Sequence, residues 1–190
     1  MTPPPIVCAV SGPKNSGKTF LIEQLVQELA RRDVDFAVAK HDAHAHMAMD
    51  HEGKDSWRYR EAGAPRVAVI GPLGQVRLDF SAPFAKEACA RTALEGLFPG
   101  VDLVVAEGFK DHPLPRIKLV TTAAGPATHV VFRAEPALDT ELAPDDAVPL
   151  TLDVCLQFIE ELLARPLARR SIADGNGAHT ALPHADIPGR

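Results

Sequence analysis

A single stretch near the amino terminus decides the fold of this chain: Gly12-Pro13-Lys14-Asn15-Ser16-Gly17-Lys18-Thr19. It matches G-x-x-x-x-G-K-T, the motif of phosphate-binding loops, without a mismatch. The apolar run 6–10 before it predicts a buried strand. The run 20–29 after it predicts a helix, because apolar residues recur there at the spacing of one helical face: 21, 22, 25, 26 and 29. Strand, glycine loop and helix form the context that the motif requires.

The residues of this loop have distinct predicted roles. Gly12 and Gly17 allow the backbone to turn tightly and to approach an anion, so that loop N–H groups and the positive end of the helix point at phosphates. Lys18 would neutralise the β- and γ-phosphates, and the Thr19 hydroxyl would bind Mg²⁺. Lys14 either adds a second cation near the γ-phosphate or faces solvent. The alternative is a glycine-rich turn that binds nothing; we favour phosphate binding and assign all eight residues to it.

The composition predicts a globular cytoplasmic protein. At 190 residues, with 46% hydrophobic and 24% charged residues, the chain suits one domain with a real core. A net charge of −5 without a basic stripe argues against nucleic-acid binding. No stretch approaches 18 consecutive apolar residues, and Met1-Thr2-Pro3-Pro4-Pro5 does not have the composition of a signal peptide, so we expect no membrane partner.

Cysteine spacing and the end of the chain add two expectations. Cys8, Cys89 and Cys155 are widely spaced, so we expect buried thiols rather than a disulfide or a zinc site. After Arg165 the sequence loses its periodicity and gains Gly, Pro, Asn and His. We therefore predict a nucleotide-binding domain over 1–165 and a disordered tail over 166–190.

A second strand over 36–39 completes a predicted strand-helix-strand unit, and a histidine-rich loop follows it. We expect the strand to be parallel to the first and to lie beside it. The loop over 40–55 contains four histidines without apolar periodicity, and it leaves a carboxyl end of the sheet, where α/β proteins bind ligands.

Three interpretations of that loop stay open. It contributes to the nucleotide site through Lys40, His41 or Asp42; or it is a solvated surface loop; or it binds a metal through its four histidines, His41, His44, His46 and His51. We favour the first, because ligand loops lie at strand ends and the histidine spacing matches no standard metal pattern.

The middle of the chain predicts a short helix, a hairpin and a longer helix. Asp55-Ser56 is expected to cap a helix over 57–62 that ends at Gly63. Strands over 66–70 and 75–80 flank a Gly-Pro turn and predict an antiparallel hairpin. Residues 83–98 predict the longer helix.

Residues 101–110 form a β-branched apolar run that ends in an acid and a glycine and resembles a Walker B strand. Asp102 is at the wrong end of this strand and is expected to be structural. Glu107 is at the carboxyl end, beside the phosphates, and is our candidate for Mg²⁺ binding or for positioning water. The alternative is a surface carboxylate at a strand end.

The remainder predicts strands over 117–120 and 129–132, a loop over 135–149 and a last helix with an apolar face over 152–163. The predicted fold class is therefore α/β: a three-layer P-loop NTPase fold with a mostly parallel sheet, an inserted β-hairpin and a C-terminal helix.

Four stretches together resemble one known family, that of the molybdopterin-guanine dinucleotide biosynthesis adaptor protein B (MobB). The four stretches are the loop 12–19, Lys40-His41-Asp42-Ala43-His44, the stretch 53–64 and Glu107-Gly108-Phe109-Lys110. They occur in the order seen in that family, and the resemblance as a whole spans residues 6 to about 164. Only the first is generic. Two departures are a 45–50 loop one residue longer than usual and Met47-Ala48 where an acid is common.

The resemblance implies a homodimeric GTP-binding protein with weak Mg²⁺-dependent GTPase activity. It would assist the molybdenum cofactor guanylyltransferase, which joins GMP to molybdopterin, and molybdopterin is a candidate ligand. By position, the resemblance implies that Gly12, Gly17, Lys18 and Thr19 hold the phosphates and magnesium, and that the adjoining site is lined by Lys40, His41, Asp42, Glu107, Gly108 and Lys110. Our candidate catalytic residues are Glu107 and Asp42, and our candidate metal ligands are Thr19 and Glu107.

The guanine-reading element Asn-Lys-x-Asp is absent, so the preference for GTP over ATP comes from the resemblance alone.

Two other functions stay open, a kinase and a metallochaperone. A small P-loop kinase would need an arginine-bearing lid, and only Arg58, Arg60 and Arg66 cluster nearby. The other alternative is a metallochaperone-type GTPase that uses the histidine-rich loop.

Overall fold

The computed structural model describes residues 3–42, 52–72, 74–79, 89–121 and 125–165. The helices are α1 Lys18–Arg31, α2 Asp55–Glu61, α3 Ala90–Leu97 and α4 Leu152–Leu163. The strands are β1 Ile6–Ser11, β2 Phe36–Lys40, β3 Arg66–Gly71, β4 Gly74–Asp79, β5 Leu103–Glu107, β6 Leu114–Val120, β7 His129–Ala137 and β8 Val148–Pro149. Each predicted helix and strand that falls within these residues is present.

Six strands form one mixed sheet in the order β2-β5-β1-β6-β7-β8. The first four are parallel, and β7 and β8 run antiparallel to their neighbours. The expectation that β2 lies beside β1 was wrong, because β5 lies between them. The burial explains this order: β5 is buried on both faces, as an interior parallel strand must be, whereas β2 is half-exposed, with Val38 44% exposed.

Alternate residues of β1 enter two separate cores, which makes the fold a three-layer sandwich. Ile6, Cys8 and Val10 pack with α1 and α4 on one face of the sheet. Val7 and Ala9 pack with α3 on the other. The predicted α/β class, with its mostly parallel sheet and C-terminal helix, is confirmed.

The predicted hairpin is also confirmed, as a separate two-stranded sheet of β3 and β4. Its cross-strand pairs divide into two faces. One face carries the apolar pairs Val67–Leu78 and Val69–Val76, and the other carries the pairs Arg66–Asp79, Ala68–Arg77 and Ile70–Gln75. Val69 and Val76 are 53% and 57% exposed, so half of the apolar face lies open.

Three expectations about local structure were wrong. Asp55 and Ser56 lie inside α2, and its N-cap is Lys54, which is extended and makes no side-chain capping bond. The predicted loop 135–149 is partly regular, because β7 runs on to Ala137 and two short 3-10 helices and β8 follow. Cys89 is exposed, unlike the other two cysteines.

The two buried thiols lie in the core between the sheet and α4. Burial raises the pKa of Cys8 to about 12, against the opposing effect of Arg116, and burial also raises the pKa of Cys155 to about 12. None of the three cysteines is part of a disulfide. Among the described residues, no helix is both long and apolar enough to cross a membrane.

Several predictions lie outside the described residues. They are the loop positions 43–51, residues 83–88 of the predicted long helix, and the tail 166–190. Within the part described, the long helix is α3, which begins at Ala90. The boundary between domain and tail stays a prediction.

Candidate functional site

The loop between β1 and α1 has the backbone shape of an anion cradle. Gly12, Asn15 and Gly17 all have positive φ angles, of 142°, 63° and 90°. Gly17 is the N-cap of α1 and supplies no side-chain cap, and the first helical bond of α1 runs from the Leu21 N–H to the Gly17 carbonyl, at 2.9 Å. The N–H groups of the first turn, before Leu21, have no carbonyl of the helix to donate to. They are free to bind an anion at the positive end of the helix.

Gly12 brings this loop against the neighbouring strand β6. A Cβ at this position would lie 2.9 Å from the Leu119 carbonyl oxygen and 3.1 Å from Ser16 Oγ. On the other side of the loop, the Ser16 carbonyl accepts a hydrogen bond from the Ala127 N–H at 3.0 Å. The loop therefore packs against β6 at Gly12 and is hydrogen-bonded at Ser16 to the connection between β6 and β7.

The Lys18 side chain is partly exposed and folds back over the loop. Its Nζ donates to the carbonyl oxygens of Gly12, at 3.1 Å, and Pro13, at 2.6 Å. This places a positive charge above the turn that the loop N–H groups surround, where a phosphate would need it.

A cleft of about 370 Å³ opens at the cradle, and seven residues line it: Lys14, Asn15, Gly17, Lys18, Thr19, Phe20 and Glu107. Six of the predicted site residues are thus together. Gly12, Pro13 and Ser16 belong to the loop but do not line the cleft. Ser16 Oγ is buried and makes no hydrogen bond within the described part of the chain.

Glu107 reaches the cleft because β5 is the direct neighbour of β1. It is in register with Val10 on one side and Lys40 on the other. Lys40 Nζ lies 3.5 Å from Glu107 Oε1, and the Glu107 side chain is 16% exposed. The carboxylate is thus held at the carboxyl edge of the sheet with a cation beside it. Asp102 precedes the opposite end of β5.

The other predicted site residues lie at or after the carboxyl ends of β2 and β5 and do not line the cleft. The His41 N–H donates to the Glu107 carbonyl at 3.0 Å, and the Gly108 N–H donates to the Val10 carbonyl at 2.9 Å. Asp42 is half-buried after β2, and Lys110 is exposed in the turn after β5.

The oxygen atoms in the cleft suit a magnesium ion. The Thr19 hydroxyl and the Glu107 carboxylate both line it, and Mg²⁺ binds oxygen ligands with the phosphates of its nucleotide. By contrast, no group of three metal-binding side chains occurs within the residues described. Three of the four loop histidines, His44, His46 and His51, lie outside those residues.

A buried arginine next to the site was missed by sequence reasoning. Arg116 of β6 is fully buried. Its guanidinium donates to the carbonyl oxygens of Phe109 at 2.9 Å, His112 at 2.7 Å and Ala137 at 3.3 Å. Burial lowers the pKa of this guanidinium, and Asp139 opposes that effect. Arg116 therefore holds the turn that follows Glu107.

Asp139 connects this arginine to the phosphate loop. Its carboxylate lies 3.8 Å from Arg116 Nη1 and 3.5 Å from Lys118 Nζ, and it accepts a hydrogen bond from the Ser11 hydroxyl. Lys118 Nζ also donates to the Asp139 and Leu142 carbonyl oxygens, at 2.7 and 3.1 Å. Ser11 directly precedes Gly12, so one ionic network supports both sides of the site. Of this network, only β6 carried a signal in the sequence, because Arg116 and Lys118 are two charges within an otherwise largely apolar strand.

An aromatic contact fixes the loop after β2 against the turn after β5. The His41 ring stacks on Phe109, with centroids 4.8 Å apart, and Phe109 has a positive φ of 50°. His112 packs edge-on against both rings, at 5.6 and 5.8 Å. The turn that carries Gly108 and Lys110 is therefore held by the rings as well as by Arg116.

Comparisons with known proteins agree on one family. The model of the family "Molybdopterin guanine dinucleotide synthesis protein B" (MobB) matches residues 6–138. A molybdopterin-guanine dinucleotide biosynthesis adapter protein of Haemophilus influenzae is 38% identical over 111 residues, which are 58% of this chain and 60% of that protein. The adapter protein of Escherichia coli is 30% identical over 150 residues, 77% of this chain and 81% of that protein.

Solved structures give similar matches. The crystal structure of Bacillus subtilis MobB is 30% identical in sequence, with a TM-score of 0.48 over 62% of this chain and 68% of that one. A crystal structure of molybdopterin-guanine biosynthesis protein B is 25% identical, with a TM-score of 0.49 over 62% and 70%. The chain spans about three fifths of the length of the Haemophilus relative.

Proposed function

Because this chain belongs to the MobB family, we propose that it is a GTP-binding adaptor in molybdenum cofactor biosynthesis. Its partner would be the guanylyltransferase that joins GMP to molybdopterin. The names of the relatives support the pathway. The observation that carries nucleotide binding is the cradle itself, a strand-loop-helix turn with positive φ at Gly12, Asn15 and Gly17 and the Lys18 ammonium above it.

The proposed binding step uses backbone and side-chain donors together. The N–H groups at the start of α1 bind the phosphates of GTP, and Lys18 exchanges its two carbonyl contacts for phosphate oxygens. Thr19 and Glu107 would hold a magnesium ion at the phosphates, and the ion would supply positive charge that the phosphates need. Lys14 and Asn15 border the same cleft and add polar contacts at its mouth.

Glu107 is the residue that we propose orients water for hydrolysis. Its carboxylate lines the cleft, with Lys40 Nζ 3.5 Å from Oε1, and a carboxylate at this position can accept a proton from water. Asp42, two residues beyond Lys40, is a second acid at the same edge of the sheet.

Hydrolysis at this site should be slow. None of the described residues that line the cleft is an arginine, and an arginine at the transferred phosphoryl group contributes roughly 10³- to 10⁵-fold to the rate in related chemistry. The cluster Arg58, Arg60 and Arg66 lies on α2 and β3 rather than along the cleft. This supports a weak GTPase over a kinase.

The hairpin supports a homodimer. Its apolar face ends in the exposed pair Val69 and Val76, and an isolated two-stranded hairpin is marginally stable in water. A second copy that covers this face would bury the pair. The guanylyltransferase, with molybdopterin as its substrate, would then meet a two-fold adaptor.

Lys18→Ala tests the nucleotide site. We expect affinity for Mg·GTP to fall by about 10- to 100-fold, since charge-assisted hydrogen bonds are lost, while the melting temperature changes little because the side chain is at the surface of the loop. Calorimetry measures the affinity, and a reconstituted GMP-transfer assay with the guanylyltransferase should lose its stimulation in parallel. Arg133→Ala, which removes an exposed cation of β7, is the control. Unchanged GTP affinity in Lys18→Ala, or no stimulation by the native protein, would contradict the proposal.

A further inference from the structure

Phe20 departs from the pattern of the helix that carries it. The neighbouring apolar residues of α1, Leu21, Ile22 and Leu25, are buried against the sheet. The Phe20 side chain is 67% exposed, because it lies outside the stripe that faces the core. A single exposed apolar residue is common on protein surfaces, so exposure by itself assigns nothing to this ring. Its position does.

The ring borders the phosphate cleft. Phe20 follows Thr19 directly and lines the same space of about 370 Å³ as Lys18 and Glu107. Among the described residues that line the cleft it is the only aromatic one; the others are charged or polar side chains and Gly17. An apolar π face therefore stands beside the cradle that binds anions.

The chemistry of a nucleotide matches that arrangement. Its phosphates need N–H groups and cations, which the loop and Lys18 supply, whereas its base needs a flat apolar surface. The cleft offers both kinds of surface, because Phe20 and Lys18 line the same space. Each nucleobase has a π face, so a phenyl ring binds it without reading its edge.

We propose that the Phe20 ring is the surface on which the base of a bound nucleotide stacks. This inference rests on the proposed function, since it needs a nucleotide whose phosphates occupy the cradle. It adds a source of affinity that does not discriminate between purines. It is consistent with the absence of the Asn-Lys-x-Asp element, because a stacked base is held without contacts to its edges.

Phe20→Ala in the full chain, titrated with three ligands, tests the proposal. We expect the affinities for Mg·GTP and Mg·ATP to fall by the same factor, roughly 5- to 100-fold, as the stacking contact is lost. The affinity for Mg·tripolyphosphate, which has phosphates and no base, should stay within about twofold of the native value. Phe20→Tyr, which keeps the ring, should restore nucleotide binding to that of the native protein.

Leu97→Ala is the matched control, because Leu97 has the same 67% exposure but lies on α3 and does not border the cleft. It should change none of the three affinities. Unchanged GTP binding in Phe20→Ala would overturn the proposal, and so would an equal loss of tripolyphosphate, which would assign the ring to the phosphate cradle. If the native protein binds tripolyphosphate as tightly as GTP, this inference fails while the phosphate site stands. If it binds neither, the proposed function fails as well.

Discussion

Gly12, directly after β1, is a position where a residue with a side chain would strain the backbone. Its φ of 142° lies where side chains are disfavoured, and a Cβ would lie 2.9 Å from a backbone oxygen that cannot move away. Both effects act on the same turn that forms the anion cradle. Strain at this residue is therefore coupled directly to the shape of the site.

We predict that Gly12→Ala lowers the free energy of unfolding by about 1–3 kcal/mol, the usual cost of one strained residue, and weakens GTP binding. Gly96→Ala is the control, because Gly96 lies in α3 with open space around it and without positive φ. That change should raise stability by up to about 1 kcal/mol, since alanine favours the helix. Urea unfolding measures both, and similar effects of the two substitutions would contradict the role of Gly12.

Glu107 and Asp102 are a pair of acids at opposite ends of β5. We predict that Glu107→Gln slows GTP hydrolysis by about 100-fold, because an amide cannot accept a proton from water, while GTP affinity changes far less. Asp102→Asn should leave the hydrolysis rate unchanged. Single-turnover phosphate release and calorimetry separate the two effects. Equal losses of rate and affinity in Glu107→Gln would assign this carboxylate to binding alone.

At the level of elements, β6 is the strand that joins the two sides of the site. It pairs with β1, which leads into the phosphate loop, and its Arg116 holds two carbonyl oxygens in the turn after β5 and a third at the end of β7. A buried guanidinium is costly unless its bonds are made, so the arginine and its acceptors depend on one another. The turn after Glu107 is held by this ionic group rather than by regular secondary structure.

We predict that Arg116→Met lowers the free energy of unfolding by about 3–5 kcal/mol, because three carbonyls and Asp139 lose a buried partner. Arg133→Met is the control: Arg133 pairs with Arg116 across the strands but is exposed, so its loss should cost less than about 0.5 kcal/mol. Chemical unfolding of both variants gives the comparison. A cost below about 1 kcal/mol for Arg116→Met would show that the network adds little to stability.

The same elements show what a sequence can predict. The phosphate loop, the buried strands and α4 were predictable because each depends on a local pattern of apolar spacing or turn residues. The position of β5 between β1 and β2 was not predictable from a local pattern, since strand order depends on which strands are buried on both faces. The link from Arg116 to Asp139 crosses 23 positions of sequence and leaves no local signal at the acid. For Phe20 a signal existed, because the predicted apolar stripe of α1 omits position 20.

At the scale of the whole molecule, the hairpin lies outside the six-stranded sheet. β3 and β4 form their own sheet and share no strand pairing with the six-stranded one in the part of the chain described. On its apolar face, Val67 is buried and Leu78 is half-buried, whereas Val69 and Val76 are exposed. The opposite face carries charged and polar pairs together with the exposed Ile70. If the molecule is a homodimer, the apolar face is the natural contact, because burying it removes exposed valines and stabilises the hairpin.

Val69 and Ile70 are adjacent in β3 but lie on opposite faces of the hairpin, so a lysine at each position tests which face forms the contact. We predict that Val69→Lys converts the dimer into a monomer, because a lysine in the centre of an apolar contact would be buried without a partner. Ile70→Lys adds the same charge one residue away, on the polar face, and should leave the dimer intact although Ile70 is the more exposed, at 78%. Sedimentation of both variants at matched concentrations measures their mass, and circular dichroism checks the fold. Dissociation of both variants, or of neither, would exclude the apolar face as the dimer contact; dissociation of Val69→Lys alone, with GTP affinity retained, would separate assembly from nucleotide binding.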